Sequence, residues 1–479
     1  MTSLWTSTEI LEATGGTLTG PAFEVSGVSI DSRTVGANDL FIALHGPNHD
    51  GHDFAADAAA AGARLLIHRD VELPEGASAI RVDDTFAALY DLARTARTRT
   101  DATIIAVTGS VGKTGTKEAL KAVFSRFGAT HAPVGSFNNH WGVPLTLARM
   151  PRAARTAIFE IGMNHAGEIR PLAKLVRPHL ALITTIAPVH LEHFSHLDDI
   201  AHAKAEIFEG LVPGGQAVLP FDSPYFGLLT DKALGNGASN VVGFGDDARA
   251  GAHIVKAKAH ADCTCASAVV LGEAVTFKLG LPGRHLLGNA LAVLTAAKLI
   301  EGDLAQAAMA LAELEPPEGR GRRYTVDLAT GPFTIIDESY NASPPSIRAA
   351  LETLGSLTPD GAGRRIVVLG DMLELGPASA ALHAGLAPDL EAAHVHHAVL
   401  VGPHMAGLHK HLSAAIRHRA YGASEDAADH VAGMVRAGDI VMIKGSNGMR
   451  LRQVVEALLA LDDTPDHAGR GKGISSHAL

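Results

Sequence analysis

The stretch Thr103-Ile104-Ile105-Ala106-Val107-Thr108-Gly109-Ser110-Val111-Gly112-Lys113-Thr114 decides the fold class. Its first five residues are apolar or β-branched, which reads as a strand. Two glycines then turn the chain, and a helical pattern follows over Lys117 to Phe127. Strand, glycine-rich turn and helix in that order make a phosphate cradle. Backbone N–H groups and the helix N-terminus face the anion, Lys113 neutralises its charge, and Thr114 offers a hydroxyl to Mg²⁺. The strict pattern has glycine at position 107, where this chain has Val107, so the match is to a shortened variant. An ordinary glycine-rich turn between a strand and a helix is the competing reading.

Outward from this loop the same rhythm continues. Short apolar runs, Gly-rich turns and helical stretches alternate, which predicts α/β domains with mainly parallel sheets. A helical stretch from Ala87 to Arg99 closes a first segment. A second boundary falls at Glu315-Pro316-Pro317-Glu318-Gly319, where paired prolines cannot continue a helix. Three domains are expected, at 1–99, 100–315 and 316–462, with a polar, Gly-rich tail over 463–479 that is expected to be disordered. The length of 479 residues agrees, at about 150 residues per domain.

Composition excludes several classes. Hydrophobic residues make up 47% and charged residues 19%, a globular balance. The longest charge-free run, Phe127 to Ala148, contains Asn138, Asn139, His140 and Pro144, so membrane insertion is not expected. The first residues lack a basic start and an apolar core, so no secretory signal is expected. Two cysteines, Cys263 and Cys265, are too few for a disulfide framework and fit a reducing cytoplasm. Their spacing beside His260 is that of a strand edge more than of a metal site, since no second pair accompanies it. A formal net charge of -11 makes nucleic acid a poor partner.

Further apolar runs end in polar groups. Ala157-Ile158-Phe159 leads to Glu160, and Leu180-Ala181-Leu182-Ile183 leads to His190 a few residues on. Ligands of parallel α/β sheets gather outside the carboxyl ends of the strands, so both can meet beside bound phosphates. Glu160 suits Mg²⁺, His190 is a less usual ligand, and either can instead be a solvated loop residue. Ser195 and Asp198 have spacing like a capping box. In the helix they open, Lys204 shares an apolar stripe with Ile200, Ile207, Phe208 and Leu211. A lysine there must snorkel, find an acid or lose its charge.

In the third segment Thr334-Ile335-Ile336 precedes Asp337 and Glu338, Ile366-Val367-Val368-Leu369 precedes Gly370-Asp371, and Ile440-Val441-Met442-Ile443 precedes Lys444-Gly445-Ser446. Pro344-Pro345-Ser346 opens an intervening helix. A Rossmann-like sheet is predicted, without the glycine fingerprint of a dinucleotide site.

Taken in order, these motifs resemble the Mur ligases. The resemblance rests on the loop Thr108 to Thr114, Asn138-Asn139-His140-Trp141-Gly142-Val143-Pro144, Glu160-Ile161-Gly162-Met163-Asn164, Ala187-Pro188-Val189-His190-Leu191-Glu192 and Ala203-Lys204-Ala205-Glu206. Ser339-Tyr340-Asn341-Ala342-Ser343-Pro344, Gly370-Asp371-Met372-Leu373-Glu374-Leu375-Gly376 and Lys444-Gly445-Ser446 are similar to the branch that adds D-alanyl-D-alanine.

The resemblance implies a cytoplasmic, ATP- and Mg²⁺-dependent amide ligase of cell-wall precursor synthesis. It would act, as a monomer, on UDP-N-acetylmuramoyl-tripeptide and D-alanyl-D-alanine through an acyl phosphate. By the same resemblance Thr108, Gly109, Ser110, Val111, Gly112, Lys113 and Thr114 hold ATP. Thr114, Glu160, His190 and a carbamylated Lys204 serve the metal, and Lys113, Glu160, His190 and Lys204 are the catalytic set. Asn289 contacts adenine, and Arg320 and Glu338 reach the nucleotide from the third domain. The family often has Asp-Asp-Ser where this chain has Asp337-Glu338-Ser339. Ser29, Asp31, Ser32 and Arg33, with Asn138 and Asn139, are implied for the UDP-sugar peptide, and Tyr340 and Asn341 for the dipeptide. Domain closure on substrates, which excludes water from a hydrolysable intermediate, is expected.

Two rivals remain at this point. One is a related amide ligase acting on a shorter muramoyl peptide or on folate. The other is an ATP-gated switch, which would have no need of Glu160, His190 and Lys204.

Overall fold

The computed structural model describes residues 3–46, 49–188, 194, 196–260 and 262–462. Among these residues the chain builds three successive sheets, each flanked by helices, and a separate two-stranded pair, Trp5–Thr6 with Glu24–Val25. The first sheet holds β1 (Thr17–Thr19), β2 (Gly27–Ser29), β3 (Asp39–Ile42), β4 (Arg64–Ile67) and β5 (Ala79–Arg81), in the order β1-β5-β4-β3-β2. Only the β1–β5 pairing is antiparallel. Helix α1 (Thr85–Thr98) follows, capped by the Asp84 carboxylate, which accepts from the N–H groups of Phe86 and Ala87.

The middle sheet contains β6 (Thr103–Thr108), β7 (Thr130–His131), β8 (Thr156–Glu160), β9 (Leu180–Ile183), β10 (Gln216–Pro220), β11 (Asn240–Gly245), β12 (Ala252–Ala259), β13 (Thr264–Val270) and β14 (Glu273–Leu279). Their spatial order is β14-β13-β12-β11-β10-β9-β6-β8-β7. Pairing is parallel from β7 through β12 and antiparallel in the meander β12–β13–β14. β6 lies inside the sheet with Ile104, Ile105, Ala106 and Val107 all fully buried, as its unbroken apolar run requires. Ile104, Ala106 and Phe159 belong to one core, and Ile105, Val107 and Ile158 to the core on the opposite face. Cys265 sits on β13 beside a hairpin closed by the His260 N–H to the Cys263 carbonyl. Among the described residues no group of three metal-type side chains gathers there.

Helix α2 runs over Lys113–Phe124, earlier at both ends than the sequence pattern suggested. Gly112, at φ 89°, turns the chain straight into the helix. At the other end Arg126, Phe127 and Gly128 already make short-range turn bonds back to Val123 and Phe124. Helix α3 spans Gly142–Ala148 and helix α4 spans Leu197–Ala205. The expected cap at Ser195 lies outside the described residues. The Asp198 carboxylate accepts from the Tyr225 hydroxyl, whereas the Asp199 carboxylate accepts from the His196 N–H. Helix α5 (Leu287–Ile300) packs on the middle sheet.

The third sheet comprises β15 (Arg322–Leu328), β16 (Gly331–Glu338), β17 (Arg365–Gly370), β18 (His397–Val401), β19 (Arg417–Tyr421) and β20 (Ile440–Lys444), ordered β15-β16-β20-β17-β18-β19. All its pairings except β15–β16 are parallel, which is the predicted Rossmann-like architecture. Helix α6 (Pro344–Ser356) begins at the proline pair, with Ser343 and Ser346 bonded at its start. The overall fold is thus α/β in three parts, the middle one built as a phosphate-loop sheet.

The first and middle parts are pinned together by buried polar contacts. Trp5 Nε1 donates to the Ala148 carbonyl at 2.8 Å, and Arg97 donates to the carbonyls of Val176 and Arg177 at 2.7 Å each. Among the described residues no helix is long and apolar enough to cross a membrane.

Candidate active site

The glycine-rich loop is braced by the end of β9. Thr184, the residue after that strand, donates its hydroxyl to the Val111 carbonyl at 2.6 Å. The Ser110 hydroxyl donates to the Ala187 carbonyl and accepts from its N–H, both at 2.9 Å. A Cβ on Gly109 would stand 1.9 Å from the Thr184 hydroxyl, so only glycine fits. A Cβ on Gly112 would meet the Asn289 amide at 2.6 Å. Asn289, on α5, is therefore seated against the loop. Thr184 escaped the sequence reading although it follows an apolar run as Glu160 does.

Lys113 turns back over the loop and donates to the Gly109 carbonyl at 2.7 Å. Burial lowers the pKa of its ammonium, while the charge of Glu160 raises it and that of Arg320 lowers it. A cation held close over a glycine-rich loop at a helix N-terminus is what a polyphosphate tail needs. Glu160 pairs in register with Val107, which sets it beside the loop. Its Oε1 accepts from Asn138 Nδ2 at 2.7 Å, and its Oε2 is buried without a hydrogen-bond partner. An orphaned carboxylate oxygen in the interior is costly unless a cation completes it. Thr114, on the same loop, has its hydroxyl 3.1 Å from that of Ser136. The donor set of carboxylate and hydroxyl oxygens fits Mg²⁺.

Lys204 does not snorkel. It is 1% exposed on α4, with no hydrogen bond or ion pair to another described residue. Burial holds its ammonium far below its ordinary pKa, and the like charge of Lys113 adds to that. His190 lies outside the described residues.

The third sheet supplies the opposite wall. The Arg320 guanidinium lies 4.2 Å over the Tyr340 ring and reaches the Ser136 hydroxyl at 3.5 Å. Glu338 faces Lys444 across the β16–β20 pairing, where the lysine donates to its Oε2 at 3.0 Å and to the Asn341 carbonyl at 3.1 Å. Asp337 is a scaffold. It is fully buried and accepts from Gly319 N, Ser339 N, the Ser339 hydroxyl and Arg452. His285, from the middle part, is close enough to feel the charges of Glu338 and Lys444, although burial dominates and lowers its pKa.

The remaining expected residues are engaged locally. Asn138 holds Glu160, and the Asn139 side chain accepts from the N–H groups of Trp141 and Gly142 at the start of α3. Ser29 and Asp31 bond within one turn, and Arg33 pairs with Asp31 at 2.7 and 2.8 Å. That pair lowers the pKa of Asp31 and raises that of Arg33. Ser32 sits in the same turn. The structure thus brings Lys113, Thr114, Asn138, Glu160, Asn289 and Arg320 around one loop. Tyr340 adjoins them through Arg320, while Asn341 adjoins Glu338 through Lys444. The Ser29–Arg33 turn makes no described bond to the loop.

Comparison with known proteins agrees with this geometry. Residues 107–297 match the Mur ligase middle domain, 321–447 the Mur ligase glutamate ligase domain, and 24–97 the Mur ligase family catalytic domain. The chain is 34% identical over 469 residues to the UDP-N-acetylmuramoyl-tripeptide--D-alanyl-D-alanine ligase of Bacillus subtilis, covering 94% of this chain and 97% of that protein. It is 32% identical over 430 residues to the ligase of the same name from Rickettsia prowazekii, covering 90% and 94%. Among solved structures, MurF from Acinetobacter baumannii superposes with a TM-score of 0.80 at 27% identity, covering 95% of this chain and 99% of that one. MurF ligase from Thermotoga maritima in complex with ADP gives 0.74 at 26% identity, covering 91% and 97%.

Proposed function

The chain belongs to the Mur ligase family, and from that premise we propose that it joins D-alanyl-D-alanine to UDP-N-acetylmuramoyl-tripeptide at the expense of ATP, in peptidoglycan precursor synthesis. One observation carries the reading beyond its relatives' names. Lys113, Thr114 and Glu160 from the middle part and Arg320 from the third converge on one glycine-rich loop.

Phosphorylating a carboxylate brings two anions together, so charge neutralisation and alignment dominate the barrier. Lys113 moves from the Gly109 carbonyl to the β- and γ-phosphates, and the loop N–H groups hold the same oxygens. Thr114 and the free oxygen of Glu160 would hold Mg²⁺, which would supply charge neutralisation for the transferring phosphoryl group. The tripeptide's terminal carboxylate attacks the γ-phosphorus and ADP leaves. The amine of D-alanyl-D-alanine then attacks the acyl phosphate, and inorganic phosphate departs as the amide forms.

Lys204 is carbamylated in the working enzyme. Its buried surroundings favour the neutral amine, the form that adds carbon dioxide, and the product carbamate places an anion beside Lys113. With His190 it serves the metal. Asn289 lies against Gly112 where the adenosine side of the nucleotide enters, and Arg320 with Glu338 closes the third domain over it. Residues 1–99 serve as the UDP-sugar domain through Ser29, Asp31, Ser32, Arg33, Asn138 and Asn139. Residues 100–315 bind ATP, and 316–462 bind the dipeptide around Tyr340 and Asn341. The enzyme works as a cytoplasmic monomer.

The test is phosphate release from ATP and Mg²⁺, with product mass, using both substrates together and each alone. Release that needs both, with a product heavier by one dipeptide less water, is expected. Release indifferent to either substrate, without a new product, refutes the ligase and favours an ATP-driven switch.

A further inference from the structure

Lys117 has no part in the chemistry described above, yet it is fully buried one helical turn after Lys113 on α2. An ammonium carries three donors, and here each meets an oxygen: the Pro133 carbonyl at 2.9 Å, the Gly135 carbonyl at 3.0 Å and the Glu118 carboxylate. Burying such a charge is tolerated only when its donors are all taken, and an apolar residue would fill the space at less cost. Two of the three bonds tie the Pro133–Gly135 turn to the helix, and the third, to Glu118, completes the ammonium's set of acceptors. Pro133 is buried at the base of the turn, but Val134 at its tip is 76% exposed and Gly135 has φ 72°, so the tip has no apolar packing of its own and is held by the lysine.

The residues after that turn reach Thr114, Glu160 and Arg320. The Ser136 hydroxyl lies 3.1 Å from the Thr114 hydroxyl and 3.5 Å from Arg320, which precedes the third sheet. Asn138 donates to the Ser136 carbonyl through its N–H and to Glu160 through its side chain. We propose that Lys117 is a positioning residue of the ligation: it fastens the Pro133–Gly135 turn so that the Ser136 hydroxyl joins the phosphate loop to Arg320 of the third domain. Lys117 acts through the turn and never meets substrate, whereas Ser136 is the group through which nucleotide binding and the arrival of Arg320 are linked. The inference rests on the ligase reading for its kinetic consequence, and on the geometry alone for nucleotide binding.

The test compares the full-length parent with K117M, S136A and the double variant K117M/S136A. Melting temperature, ligation kinetics and the ADP dissociation constant by calorimetry are measured for each. Loss of one hydrogen bond to a charged group predicts a roughly tenfold rise in the ATP KM and in the ADP dissociation constant for each single variant. The KM for the UDP-linked peptide stays unchanged. The double variant is no worse than K117M, because Ser136 is already misplaced, while a merely structural lysine gives independent, multiplying losses. Multiplying losses overturn the proposal. S136A with parental ADP affinity and ATP KM overturns it too, and decides the matter if K117M does not fold. A parent that binds ADP but makes no product refutes the ligase reading and leaves the calorimetric test of the turn in force.

Discussion

Replacing Gly112 by alanine strikes the phosphate loop at its tightest point. The residue has φ 89°, a conformation that costs an L-residue ~1–2 kcal/mol. The new Cβ would lie 2.6 Å from the Asn289 amide, well inside an ordinary contact of about 3.5 Å. Asn289 is a side chain, so it can swing aside, and the backbone strain sets the stability loss. For a unit of the middle part's size this lowers the melting temperature by roughly 2–8 °C. The effect on nucleotide binding is larger in proportion, because the loop N–H groups re-aim. Loss of one charge-assisted bond weakens ADP by roughly 10- to 100-fold. Calorimetric titration with ADP and thermal unfolding are run on G112A, N289A and G112A/N289A. Since alanine at 112 already displaces Asn289, the double variant should bind ADP no worse than G112A alone. Parental ADP affinity in G112A, or independent losses in the double variant, refutes the packing of Asn289 on the loop.

Other outcomes follow from the same geometry. K204M keeps the packing and removes the ammonium, so it should fold at least as well as the parent yet lose more than ~100-fold in kcat; heavy-carbon bicarbonate should give a carbamate NMR signal in the parent that is missing from the variant, and a signal in both removes Lys204 from the site. K444M removes the bonds to Glu338 and Asn341, which should cost about 1–3 kcal/mol and raise the KM for D-alanyl-D-alanine more than that for ATP; unchanged dipeptide kinetics count against a dipeptide site at Tyr340 and Asn341. His383 is fully buried, accepting from the Met372 N–H at 2.9 Å and meeting the Ser379 carbonyl at 2.7 Å, and burial lowers its pKa despite that carbonyl and Asp371. The folded imidazole stays neutral while the unfolded one takes a proton below about pH 6.5, so its share of stability is whole above that value and is lost as pH falls; urea unfolding of H383Q between neutral and mildly acid pH should show a shallower decline than the parent, and equal slopes refute it.

The central strand and its loop were readable because one physical demand, a both-faces-buried strand feeding a helix N-terminus, fixes residue types at adjacent positions. Glu160 was readable for the same reason, as a polar residue ending an apolar run. Lys204 was half readable: its stripe marked it as buried, but only the structure distinguishes burial beside Lys113 from snorkelling. Ser136, Lys117 and His383 were not readable. Their importance comes from contacts across sequence separations that no local period encodes, such as Lys117 with Pro133 and Ser136 with Arg320. The start of α2 was misplaced because the left-handed turn at Gly112 lets Lys113 serve both the loop and the first helical turn.

The most direct test of the account follows heavy oxygen from the carboxylate of the UDP-linked tripeptide. If Lys113, Thr114 and Glu160 align that carboxylate on the γ-phosphoryl group, one labelled oxygen passes through the acyl phosphate and leaves in the released phosphate. The account predicts one labelled oxygen per phosphate, with the other retained in the new amide. Phosphate free of label, formed together with the ligated product, would contradict it.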